Sequence, residues 1–280
     1  MSDWSTFLLL TFIATIPFYL ALRRSKDDPD LSRAVRRQMW VPGLIAIALL
    51  SYSGSGLNAL DLSPGDRPWL LLAAFLLPIA LEFILIFAAV RLKLASIDRT
   101  LLSIRDGWIT LSPSIQLILG HKRQTPLKFI VNLLATLAVA AAFTLLFSLA
   151  EEIGWRGYLQ APIIERFSLT WGLVLSGVFW GLWYAPVVLK GYSFPEFPRL
   201  GAYVFMPVFA IAAGIVTGWF YWLSGSLWAA AILNASIKVS APVSETILGD
   251  AGTSRRVRIV WLWLWAALAG LVLTLWYAGS

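Results

Sequence analysis

Four groups of polar residues stand inside or against apolar runs of this 280-residue chain, where only chemistry or a specific partner can justify them. Glu151, Glu152 and Arg156 lie in EEIGWRGYL, Trp180 and Tyr184 in FWGLWYAP, and Asn234 and Lys238 in ILNASIKV, while Glu82 follows Pro78 in an earlier apolar run. On a helix, Glu152 with Arg156, Trp180 with Tyr184, and Asn234 with Lys238 are each four residues apart, so each pair projects from one face. A glutamate shielded from water is a candidate general base, its basicity raised by burial and lowered by a nearby cation. Tyr184 and Asn234 can donate hydrogen bonds to a developing oxyanion. The set lacks a group that titrates near neutral pH. His121 is the sole histidine and falls in a basic loop outside these segments, where it reads as a solvated residue. With no cysteine and no histidine near the acidic pair, a catalytic zinc would lack its usual three ligands. No metal and no other cofactor is expected.

The elements that must carry these residues are transmembrane helices. The hydrophobic share is 59% and the charged share 13%, against about 25% charged in soluble domains. Crossing the hydrocarbon takes about 20 apolar residues in a helix. Eight runs qualify or nearly so: Trp4–Leu22, Trp40–Asn58, Trp69–Val90, Phe129–Glu151, Leu169–Leu189, Ala202–Leu223, the short Leu227–Val239, and Ile259–Tyr277. The first is followed, not preceded, by basic residues, the reverse of a cleaved signal peptide. In the last, Trp261, Trp263 and Trp265 at one end and Trp276 and Tyr277 at the other read as interfacial anchors. The expected fold is an all-α polytopic bundle with a polar central cavity, one transmembrane domain over 1–280. Within the loop 91–128, the apolar stretch Gly107–Leu119 is too short to span and reads as an interfacial or re-entrant segment. Gly177 with Gly181, and Gly214 with Gly218, have the spacing that lets helices approach closely in lipid.

A formal charge of +7 could suggest nucleic acid, but the basic residues sit in short loops, as the positive-inside rule and anionic headgroups favour. The loop 23–38 has six Lys/Arg against three Asp, the loop 91–128 seven against two, and 61–68 one against two. This balance, with Arg255, Arg256 and Arg258, places the basic loops in the cytoplasm and the amino terminus outside. The partners expected are the bilayer and a membrane-associated peptide or protein, not nucleic acid.

EEIGWRGYL, WGLWYAP and SLWAAAILNASIK resemble, in order and spacing, the three motifs of the CAAX prenyl protease and bacteriocin-processing family, intramembrane endopeptidases of the Abi superfamily. The likeness covers about residues 129–240 and implies a protease-like core there. The family pattern is EExxxR, then an aromatic followed four residues later by histidine, then a histidine followed four residues later by asparagine. The first motif is intact at Glu151, Glu152 and Arg156. Trp180 is the aromatic of the second, but Tyr184 stands where histidine is expected. Asn234 replaces the third motif's histidine and Lys238 its asparagine. The resemblance implies catalytic positions at Glu151, Glu152, Arg156, Tyr184, Asn234 and Lys238, with Trp180 a substrate-contacting candidate; Glu82, outside the motifs, is a second such candidate because of its place at membrane depth.

Each residue alone has a plain structural role to fill. Glu152 with Arg156 can fasten a helix end, Trp180 and Tyr184 can be aromatic core, and Asn234 can bridge helices (it also opens an N-A-S sequon, set aside at membrane depth). Together and in order they favour a site. Three functions compete: a divergent, catalytically impaired relative that binds or processes membrane-associated peptides, an active glutamate-dependent endopeptidase, and a small-molecule or ion transporter lined by Glu82, Glu152 and Lys238. Lys238 needs a carboxylate, Glu151 or Glu152 before Glu82, because an unpaired ammonium in a bundle is costly.

Overall fold

The computed structural model describes residues 3–24 and 31–279. It is a helical bundle with, among the described residues, seven helices long and apolar enough to cross a bilayer; the protein is an integral membrane protein. In chain order, α1 is Asp3–Arg24, α2 Leu31–Gln38, α3 Trp40–Tyr52 and α4 Trp69–Arg91. α5 is Pro113–Leu119, α6 Pro126–Glu152, α7 Gln160–Phe167 and α8 Leu169–Val188, followed by the single turn α9, Pro198–Leu200. Met206–Ser224 forms α10, Leu227–Leu248 α11 and Arg255–Gly279 α12. π-helical turns at Ile153–Leu159 and Gly201–Phe205 join α6 to α7 and α9 to α10.

Two spans differ in length from the sequence expectation. The second ends at Tyr52, so α3 has 13 residues and falls below the spanning length. The seventh does not stop at Val239 but continues to Leu248 through Pro242. That extension carries Ser240, Ser244 and Glu245 along the bundle. Of the loop 23–38, the second half is helix α2, while 25–30 lie outside the described residues.

The stretch Gly107–Leu119 is not one continuous element. Its first half is strand β2 (Trp108–Leu111), pairing antiparallel with β1 (Leu102–Arg105) and with β3 (Arg123–Gln124); its second half is α5. Asp106 and Gly107 both take positive φ, 50° and 74°. That is the geometry of the two-residue hairpin turn that an Asp-Gly pair favours, and the pair was the signal for it in the sequence.

α10 is the innermost helix. Apolar burial between helices gains little in lipid, so close packing of small residues does more of the work. Gly177 and Gly181 on α8 lie directly against the backbone of Ile211 and Pro207, where added Cβ atoms would overlap it. Gly214 and Gly218 serve side chains instead: Gly214 faces the Arg156 guanidinium, and a Cβ at Gly218 would lie 2.7 Å from the Gln160 amide oxygen. Ser32 of α2 and the segments holding Asp98, Glu196 and Thr253 share one end of the bundle, tied by Asp98 N–H to Ile247 C=O (2.8 Å) and Thr253 Oγ1 to Glu196 (2.9 Å). At the other end the Leu227 amide and the Tyr221 hydroxyl both donate to Asp61. The basic loops collect at the first end. Of the aromatics in α12, Trp263 and Tyr277 are exposed as anchors should be, but Trp261, Trp265 and Trp276 are buried core residues.

Candidate functional site

Glu151 and Glu152 end α6 where the backbone widens into the π turn. π turns are rare and recur at functional sites. Glu151 through Arg156 are all buried, with both carboxylates at 0% exposure. α3 supports this corner from behind. Gly43 lies against the Ala150 carbonyl and Gly154 against Pro42, both with no room for a Cβ. Opposite stands α8, whose end is pinned when Gln38 Nε2 (3.0 Å) and Tyr19 OH (2.6 Å) donate to the Trp183 carbonyl. That fixes Tyr184 one residue further on. α11 presents Asn234 and Lys238 from the third side.

The three motif segments meet on Glu151. Its Oε1 accepts from Trp180 Nε1 at 2.6 Å and from Tyr184 OH at 2.9 Å. Its Oε2 accepts from Lys238 Nζ at 3.2 Å and Asn234 Nδ2 at 3.3 Å. Of the carboxylates open to it, Lys238 takes Glu151 as its ion-pair partner. Asn234 also donates to Glu152 Oε1 at 2.6 Å, and its Oδ1 accepts from Lys238. The amide can face only this way, because carboxylates accept and an ammonium donates. Arg156 Nη1 straddles Glu152, 3.0 Å from Oε1 and 2.8 Å from Oε2. Oε2 receives the charge without an aligned hydrogen bond. The Arg156 guanidinium also lies 4.5 Å from the Trp180 ring centroid, a cation–π contact in a dry setting.

A cavity of about 340 Å³ opens on the other side of this network, toward the basic end. Trp180, Tyr184, Asn234 and Lys238 line it, with Tyr192, Met206 and Phe209. Glu151 stands behind Tyr184 and Lys238 rather than on the wall. Tyr192, beyond the end of α8, stacks on Tyr184 with centroids 6.2 Å apart. Burial and then the Glu151 charge push its phenol up to about 12, so it remains a neutral wall.

Glu82 does not join this group. It is buried against Ser244 Oγ and Trp261 Nε1 (3.0 Å), so Trp261 lies between it and the cavity. His121 is exposed at the basic end, away from the motifs. Glu245 and Arg258 line the cavity without having been read as site residues: they pair with each other, and Arg258 is buried under Phe194 and Trp261. Arg258 reads in the sequence as one of a cluster of loop cations. Only the continuation of α11 past Val239, which carries Glu245, could have distinguished it.

A metal would have to bind through Glu151, Glu152 and Asn234, since no group of three His, Cys, Asp or Glu occurs among the described residues. Arg156 and Lys238 already lie on those two carboxylates. The donor set fits an ion-pair network and not a divalent cation.

Residues 126–240 match the family described as type II CAAX prenyl endopeptidase Rce1-like. A protein named CAAX prenyl protease 2 from Methanococcus maripaludis is 38% identical over 64 residues, 23% of this chain and 21% of that protein. The chain thus aligns with about a fifth of that relative's length.

Proposed function

We propose that this chain, a CAAX protease-like membrane protein in its Rce1-like core, binds membrane-associated peptides or proteins in the cavity beside Lys238 and is impaired in cleaving them. The saturation of Glu151 carries this reading. A general base must accept a hydrogen bond from water and then its proton, within about 2.6–3.2 Å. A carboxylate offers roughly four acceptor sites. At Glu151 four donors converge on the two oxygens, one of them an ammonium. Water has no free acceptor site there. Tyr184 and Asn234 spend on Glu151 and Glu152 the hydrogens that an oxyanion would need. The aromatic wall and the open mouth remain suited to an amphipathic peptide segment. With the basic end in the cytoplasm and the amino terminus outside, that mouth meets proteins anchored to the inner leaflet.

The test uses the full chain in liposomes with a fluorescent, C-terminally lipidated peptide. The natural sequence is expected to retain the peptide, seen by photocrosslinking from a probe at Met206, and to release no cleaved product. The variant with Tyr184→His, Asn234→His and Lys238→Asn shows whether the peptide is cleavable once Glu151 is freed. Cleavage by the natural sequence that disappears in Glu151→Gln would establish the active-endopeptidase reading and overturn this one.

A further inference from the structure

Arg156 links the motif network to a second cavity at the opposite end of the bundle. That cavity, about 450 Å³, lies among α7, α8, α10 and α12. Arg156 is 3% exposed and forms part of its wall. A guanidinium carries five N–H donors, and the Glu152 contact engages Nη1 alone. Nε and Nη2 meet no acceptor among the described residues and are not sealed in the interior, so they open into the cavity. Gln160, 5% exposed, lines the same cavity in the space that Gly218 leaves, and its amide too has no hydrogen-bond partner among the described residues. Two buried polar groups with unused donors therefore point into one cavity.

The rim has the opposite character. Asp61, fastened by the Tyr221 hydroxyl at 2.7 Å, and Glu165 both line it, beside Trp222 stacked on Trp276 at 5.4 Å between centroids. A simple anion would meet two carboxylates on the way in, and a simple cation would meet a guanidinium at the bottom. Both ends are satisfied by one molecule with an acidic oxygen group and an ammonium. We infer that this cavity is a second binding site, for a small zwitterion whose acid group lies on Arg156 and Gln160 and whose ammonium lies between Asp61 and Glu165 against the indoles. The chemistry is that of a free amino acid and equally of an ethanolamine phospholipid headgroup. The inference stands on this cavity alone, whether or not Glu151 is catalytic.

The test is calorimetric titration of the full chain in phosphatidylglycerol nanodiscs with leucine and with phosphoethanolamine, using acetate and ethylamine as singly charged controls. At least one zwitterion should bind saturably and about tenfold or more tighter than either control. Asp61→Asn with Glu165→Gln should weaken the zwitterion by about tenfold while leaving acetate unchanged or improved. Ala161→Trp, which fills the cavity from its wall, should abolish binding. Repeating the titration in discs containing phosphatidylethanolamine separates the sources. Loss of binding there identifies the headgroup as occupant, and unchanged binding identifies a free zwitterion. Absence of saturable binding in phosphatidylglycerol discs, or binding indifferent to both sets of substitutions, would overturn the assignment.

Discussion

Glu151 and Glu82 are both glutamates on membrane helices, both buried, at 0% and 3% exposure, and they are held in opposite ways. Glu151 gathers four donors from two helices, one an ammonium, beside a cavity. Glu82 rests on two neutral donors, the Ser244 hydroxyl of α11 and the Trp261 indole of α12. It thereby staples α4, α11 and α12 together. A buried carboxylate is thus no evidence of a reactive site by itself. Cost at membrane depth selects for a partner, and the partner's charge and its closeness to an open cavity separate the two cases.

The largest effect that could break this contrast is at Lys238. Lys238→Ala leaves Glu151 buried without its cation and should destabilise the fold by about 3–5 kcal/mol, read from unfolding of the detergent-solubilised protein. Adding Glu151→Gln should recover much of that loss. If the double variant is as unstable as the sum of the singles, the two groups are not coupled and the proposal of impaired cleavage falls with them. A smaller loss, about 1–3 kcal/mol, is expected for Trp261→Phe, which strips Glu82 of one of its two donors. The smallest belongs to Glu82→Gln, under about 1 kcal/mol, because the amide keeps an acceptor for the indole and strands no cation. A Glu82→Gln loss as large as that of Lys238→Ala would erase the distinction between staple and site.

Most of this was readable before the structure, and the exceptions have physical causes. Length and apolarity located the spans because backbone in lipid must be helical. The i, i+4 pairs pointed to the candidate site because side chains four apart share a helix face. The strands Leu102–Arg105 and Trp108–Leu111 are four residues each, too short for alternation to stand out from an apolar run, and only Asp106–Gly107 betrayed the turn. Trp261 and Arg258 deceived for another reason. Composition at a helix end predicts the interface, whereas rotation about the helix axis decides whether a side chain faces lipid or protein. That rotation is set by neighbours far along the chain, here Phe209 stacked on Trp261 at 4.3 Å and Glu245 paired with Arg258. The pairing of Lys238 with a motif carboxylate was legible, but the convergence of four donors on Glu151 was not. Spacing brings donors to a face but does not say how many share one carboxylate.

The brevity of α3 has a consequence for the surrounding lipid. Its 13 residues rise roughly 20 Å, against the ~30 Å of a typical hydrocarbon slab. Trp40 and Tyr52, both exposed, mark its two ends. If α3 spans, the leaflets beside it would have to thin, while against the 23 residues of α4 they would keep full width. Such thinning would fall on the side that backs, through Pro42 and Gly43, onto the turn carrying the acidic pair. Thickening the membrane raises the elastic cost on that side by fractions of a kcal/mol per Å. A spanning α3 would thus place the acidic corner beside the thinnest part of the bilayer.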